Sequence, residues 1–290
     1  MLTRRRALKT LIAGTAAFTA QPRFVFSKTS ETMPLPLKGN IHHAVCRWCF
    51  NQLSVEELCK AVIPMGITAI DLVGPADWPT LKRFGLHSSM CNGAEINLVN
   101  GWNDPKYHKQ LIENYTAMIP KVAEAGYQNL ICFSGNRNGM DDETGLANCV
   151  LGLKQIMPLA EKHGVTIVME LLNSKVDHKD YMCDRTHWGV ALCKSLGSEN
   201  FKLLYDIYHM QIDEGDVIRN IRDHHAYIAH YHTAGVPGRH EIDENQELYY
   251  PAIMRAIVET GFKGFVAQEF IPTATDKLAS LQKAVQICDV

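Results

Sequence analysis

From about position 41 onward, short β-branched or apolar runs alternate with longer amphipathic stretches, and this alternation most constrains the fold. The spacing predicts strands over 43–47, 69–73, 86–91, 129–134, 166–170, 202–206, 227–232 and 264–269. Helical patterns lie between them, over 55–65, 107–125, 146–163, 187–196, 217–224 and 250–260. Four of these helices run into a glycine just before the next strand: Gly66, Gly126, Gly164 and Gly261. A glycine there supplies the left-handed residue that ends a helix. Eight strands alternating with helices imply a parallel sheet, and eight is the number that closes a barrel. The fold class expected is therefore α/β, a single (β/α)8 TIM barrel. A doubly wound open sheet is the alternative, but neither GxGxxG nor GxxxxGK[ST] occurs.

Residues 1–34 read as a leader and linker, and 35–290 as the barrel. Thr3-Arg-Arg-Arg-Ala-Leu-Lys9 precedes the apolar stretch 11–20, with small residues at Ala17 and Ala20. A basic region, a short apolar run and small residues make a signal peptide, too short for a stable membrane span. The paired arginines resemble a twin-arginine signal, which implies periplasmic location or export of an already folded protein. The rest of the chain, roughly 255 residues, suits one barrel of typical size.

Net charge is −2, without a basic block after the leader, so nucleic-acid binding is not expected. Nine cysteines are scattered along the chain. Cys46-Arg-Trp-Cys49 has CxxC spacing, but no second pair accompanies it, and buried apolar thiols are the expected reading.

In such barrels chemistry is assembled at the C-terminal ends of the strands. The last residues of the final four predicted strands are Glu170, Asp206, His232 and Glu269. Three carboxylates and an imidazole around one axis are costly without a counter-charge, and a divalent cation supplies one. Oxygen-rich ligation with one histidine suits Mn2+, with Mg2+ or Co2+ as alternatives.

Three stretches carry a more specific resemblance: Met169-Glu-Leu-Leu-Asn173, Tyr205-Asp-Ile-Tyr-His-Met-Gln211 and His230-Tyr-His-Thr-Ala-Gly-Val-Pro-Gly-Arg-His-Glu241. With Asn92 and Gly101-Trp-Asn-Asp104, they resemble the xylose-isomerase-like barrel superfamily, especially hydroxypyruvate isomerases and ketose 3-epimerases. Hydroxypyruvate isomerases tend to carry Gln where this chain has His232, whereas ketose 3-epimerases carry His. The segment Ser174-Lys-Val-Asp-His-Lys-Asp180 matches neither group.

The resemblance implies a metal-dependent sugar isomerase or epimerase that abstracts a proton beside a carbonyl through an enediolate. It implies Glu170 and Glu269 as both metal ligands and proton carriers, a small sugar or keto-sugar as partner, and a homo-oligomer. His209, Arg239 and His230 are the candidate substrate-binding residues, His230 with a supporting role. His240 and Glu241 belong either to the site or to its loop. Trp48, Trp102 and Trp188 are candidates for an apolar wall or for the core. Alternatives within the same fold are a lyase acting on 3-keto-glycosides and a non-catalytic, metal-assisted sugar-binding protein. Abasic-site endonucleases share the barrel but need a richer histidine cluster and a basic face.

Overall fold

A computed structural model describes residues 36–290, which form one unit. The expected leader lies outside these residues. Eight parallel strands close into a barrel in sequence order: β1 (His42–Cys46), β2 (Ala69–Val73), β3 (His87–Cys91), β4 (Asn129–Cys132), β5 (Thr166–Glu170), β6 (Phe201–Asp206), β7 (Ile228–Thr233) and β8 (Phe265–Gln268). Closure is by β8 against β1, with Ala44 opposite Ala267. Helices pack outside: α1 (Val55–Val62), α2 (Trp78–Arg83), α3 (His108–Glu124), α4 (Asp142–Leu153), α5 (Met157–His163), α6 (Thr186–Leu196), α7 (Ile207–Asp213), α8 (Val217–His224), α9 (Tyr250–Glu259) and α10 (Lys277–Cys288).

The local reasons are written in the chain. Ser54 and Glu57 close a capping box at α1, each side chain accepting from the other's backbone N–H. Gly66, Gly126, Gly164 and Gly261 all have positive φ, as their positions after helices require. The single helix expected over 146–163 is instead two, α4 and α5. Pro158 lacks an N–H and its ring would collide with the carbonyl four residues earlier, so the helix restarts with Pro158 in its first turn. Helices α2, α7 and α10 were not anticipated; all are short or begin hard against a strand or loop.

Strand β2 is irregular. Its register with β3 shifts on both sides of Asp71, and Leu72 adopts φ +54°. Such a bulge re-aims side chains. Here Asp71 is fully buried in the barrel and Leu72 reaches the cavity above it. Asn92 braces the bulge by donating to the Leu72 carbonyl at 3.2 Å. Across the barrel mouth, Gly101 and Gly135 lie so close that a Cβ on Gly101 would sit 2.4 Å from the Gly135 nitrogen. That contact lets Trp102 and Asn103 donate to the carbonyls of Phe133 and Ser134 and ties the loop after β3 to the end of β4.

All nine cysteines are free and buried. Burial raises the thiols of Cys46 and Cys49 well above their usual range, so the CxxC pair is set as packed thiols rather than a reactive dithiol. No helix among the described residues is long and apolar enough to cross a membrane.

At the other end of the barrel, His43 is buried in β1 with Asp289 3.9 Å away. Burial pushes its pKa down to about 4, against the pull of Asp289. The unfolded chain therefore takes up a proton between pH 6.5 and 4 that the folded chain refuses, and stability falls across that window. The expected loss is about 3 kcal/mol, at about 1.4 kcal/mol per pKa unit. Denaturant midpoints at pH 7.5 and pH 4 should show this drop in the native protein and a clearly smaller one in His43→Leu.

Candidate metal and substrate site

Glu170 ends β5, Asp206 ends β6, His232 lies near the end of β7, and Glu269 follows β8. One ligand atom from each falls within 4.8 Å of the others, and all four residues are buried. His232 Nδ1 is 2.6 Å from Glu269 Oε2, 3.2 Å from Glu170 Oε1 and 3.9 Å from Asp206 Oδ2. The electrostatics express crowding. Burial pushes Glu170 up, and the Glu269 charge adds to this against the pull of His232. Burial likewise raises Asp206, with Arg239 opposing it. Glu269 is held low despite burial, by His232 and Arg239 and by the Trp48 indole N–H, which donates to it at 2.7 Å.

Asp206 accepts three hydrogen bonds. Its Oδ1 accepts from the backbone N–H groups of Tyr208 and His209, capping α7, while Oδ2 accepts from Arg239 Nη2 at 2.8 Å. The cap sends α7 directly off the strand end and brings His209 to the site.

His232 is oriented from beneath. Its Nε2 lies 3.0 Å from Asp71 Oδ1, and Asp71 also accepts from Ser89 Oγ at 2.6 Å and from the Cys46 thiol. With Nε2–H donating to Asp71, Nδ1 is the nitrogen that faces the three carboxylates. That is how a metal-ligating histidine is commonly set. The donor set fits a hard divalent cation: three carboxylate oxygens and one imidazole nitrogen converge beside one arginine, Arg239.

Arg239 comes from the β7–α9 loop, at φ +60° after Gly238. An arginine held there carries backbone strain of about 1 kcal/mol or more, tolerated where the surroundings fix it. Its Nη2 binds both Asp206 and Glu269, and its Nη1 donates to His209 Nε2 at 2.6 Å. Burial, and then the Arg239 charge, keep His209 well below its ordinary pKa, so it is neutral; Nε2 faces the Arg239 guanidinium and Nδ1 lies 2.6 Å from the Asn173 amide nitrogen. The loop is braced by Glu241, which accepts from the Thr273 N–H and hydroxyl and the Ala274 N–H at 2.7–2.9 Å. These bonds pull the Glu241 carboxyl down to about 2 although burial works the other way. His240 adds a contact to the Ile271 carbonyl at 3.1 Å.

Above the cluster opens a cavity of about 380 Å3, lined by Glu170, Glu269, His209 and Arg239, by Asp177 and His178, and by apolar side chains. The seven expected site residues divide accordingly. Glu170, Asp206, His232 and Glu269 come together, and His209 and Arg239 border the cavity beside them. His230 does not reach it. It is fully buried one layer below, its Nε2 2.8 Å from Asp71 Oδ2 but out of line for a ring N–H bond. Of its two expected roles only the supporting one fits, because the inward face of β7 places His230 a full pleat deeper than His232. Of the three tryptophans only Trp48 lines the cavity; Trp102 and Trp188 are core. His240 and Glu241 fix the loop. Asp71 and Asp177 were missed. The Asp in an otherwise apolar run, Ala69-Ile-Asp-Leu-Val73, was the available signal for the first.

Residues 80–286 match the family described as the xylose isomerase-like TIM barrel. A stretch of 115 residues is 39% identical to a 2-oxo-tetronate isomerase of Cupriavidus necator, covering 40% of this chain but only 44% of that relative. Among solved structures, an AP endonuclease, family 2, of Brucella melitensis superposes with a TM-score of 0.74 at 22% identity, over 83% of this chain and 96% of that one. A D-psicose 3-epimerase with D-tagatose from Clostridium cellulolyticum H10 gives 0.71 at 18%, over 86% and 98%.

The Glu241 brace makes a direct prediction. Glu241→Ala removes all three of these bonds at once, each worth about 1.5 kcal/mol or more when the acceptor is charged. Amide hydrogen exchange in 236–241 and 271–274 should then accelerate at least about tenfold, with protection of β5 and β6 unchanged.

Proposed function

The chain belongs to the xylose isomerase-like TIM barrel family, and on that premise we propose that it is a divalent-metal-dependent sugar isomerase or epimerase. The observation that carries the reading is the meeting of Glu170, Asp206, His232 and Glu269 beneath a sugar-sized cavity. The named activities of the similar proteins, a 2-oxo-tetronate isomerase and a D-psicose 3-epimerase, support it.

In this proposal Glu170, Asp206, His232 Nδ1 and Glu269 hold the ion, with Mn2+ favoured. Such an ion supplies Lewis-acid stabilisation for the negative charge of an enediolate. The chain's own groups carry the proton. Glu170 accepts one contact from His232 on Oε1, and its carboxylate faces the cavity, where it can take a proton from the carbon beside a carbonyl. Glu269, fixed by Trp48 and Arg239, faces the same cavity and serves the return step. Neutral His209, held between Asn173 and Arg239, borders the cavity, and Arg239 keeps Glu269 and Asp206 in place. Asp71 accepts from His232 Nε2 and so turns Nδ1 toward the three carboxylates. The basic and apolar runs of the leader support export by the twin-arginine route, and buried free thiols suit a protein that folds before export.

With Mn2+ in D2O, deuterium should enter beside the carbonyl of a ketose. Chelator should abolish this, and Glu269→Gln should slow it by about 100-fold or more. Exchange that survives both treatments contradicts the reading. Asp71→Asn should weaken Mn2+ affinity by about 10- to 100-fold in calorimetric titration, a loss that a role confined to packing would not produce.

A further inference from the structure

The cavity carries information about the charge of its substrate. Among the described residues Arg239 is the one Arg or Lys that lines it, and both its Nη atoms are engaged by Asp206, Glu269 and His209. Cations nearby are occupied elsewhere: Lys175 Nζ donates to the Ile212 and Asp213 carbonyls at the end of α7, and Arg137 is paired with Asp142 and Asp184. A divalent ion and Arg239 together balance the three ligand carboxylates, which leaves no positive charge over for a substrate carboxylate.

Asp177 then adds a negative charge on the cavity wall. It comes from the segment 174–180, whose sequence departs from both groups the chain resembles. The side chain is one-third exposed. Both of its hydrogen bonds fall on Oδ2, from Asn173 Nδ2 at 2.6 Å and the Tyr208 hydroxyl at 2.9 Å, so Oδ1 is left as an acceptor. The Asn173 Oδ1 accepts from the Asp177 N–H at 3.0 Å, which fixes the carboxylate at the wall. A sugar hydroxyl can donate to it, whereas a substrate carboxylate can only be repelled. Size points the same way. About 380 Å3 is room for roughly a dozen waters, far more than a three-carbon acid fills. Leu72, Leu98, Phe133 and Leu172 form an apolar wall that suits the C–H face of a longer sugar.

We propose that this site selects neutral keto-sugars of about hexose size over 2-oxo acids, and that Asp177 is the residue that sets the choice. The inference rests on the isomerase reading above, but runs against the substrate named for the 39% identical relative.

L-erythrulose and 2-oxo-tetronate make a matched pair, four-carbon ketones that differ in a hydroxymethyl group or a carboxylate beside the carbonyl. For the Mn2+-loaded full chain, kcat/KM for deuterium exchange should be at least about tenfold higher for L-erythrulose, since a like charge held close in a partly screened site weakens binding by this order or more. D-tagatose should exceed both. Asp177→Asn should narrow the gap at least about tenfold, chiefly by lowering KM for the acid, while Asp177→Glu, which keeps the charge, should preserve it. A native preference for 2-oxo-tetronate overturns the inference and leaves the isomerase reading standing. Equal narrowing in Asp177→Glu overturns the role of charge in favour of loop shape. Exchange with none of the three ketones removes the isomerase reading and this inference with it.

Discussion

Three carboxylates buried side by side repel one another, and the rest of the site is arranged around that repulsion. Glu170, Asp206 and Glu269 arrive at the same end of the barrel because β5, β6 and β8 run parallel, with β7 and its His232 between the last two. Closure of the barrel brings these strand ends together. The countermeasures are specific: Arg239 between Asp206 and Glu269, the Trp48 indole on Glu269, two backbone N–H groups on Asp206, and His232 at the centre. They offset part of the charge, and Glu170 and Asp206 are still pushed up, first by burial and then by the Glu269 charge. A divalent cation is the simplest group that removes the remainder.

Two devices keep these groups in place, and both use irregular backbone. The bulge in β2 turns Asp71 inward, where it holds His232, and lifts Leu72 into the cavity wall. The β7–α9 loop holds Arg239 at positive φ and is tied to the β8–α10 loop through Glu241 and His240. Strain of this kind persists where surrounding bonds over-determine it. The regular strands supply position, and the irregular segments supply direction.

Much of this was legible in the sequence because it follows from periodicity. Apolar runs ending in Glu170, Asp206 and Glu269 gave strands whose observed bounds differ by a residue or two, and the glycines after the helices marked their ends. What escaped depends on contacts between distant segments. Asp71 lies 161 residues from His232, and nothing local in β2 reveals the bulge that joins them. Helix α7 was hidden because Asp206 serves as both strand end and helix cap, so one residue carried two signals. His230 was placed too high, since a period of two fixes the face of a strand but not the depth at which each side chain stops. Asp177 sits in a loop without periodicity, where only the folded contacts to Asn173 and Tyr208 reveal it.

The most direct test of the central claim is anomalous diffraction from crystals of the protein grown with Mn2+. The account predicts one strong peak within ordinary ligand distance, roughly 2.0–2.3 Å, of Glu170, Asp206, His232 Nδ1 and Glu269, lost in Glu170→Gln/Glu269→Gln crystals. A peak elsewhere, or none at saturating Mn2+ with the four side chains still in contact, would contradict it.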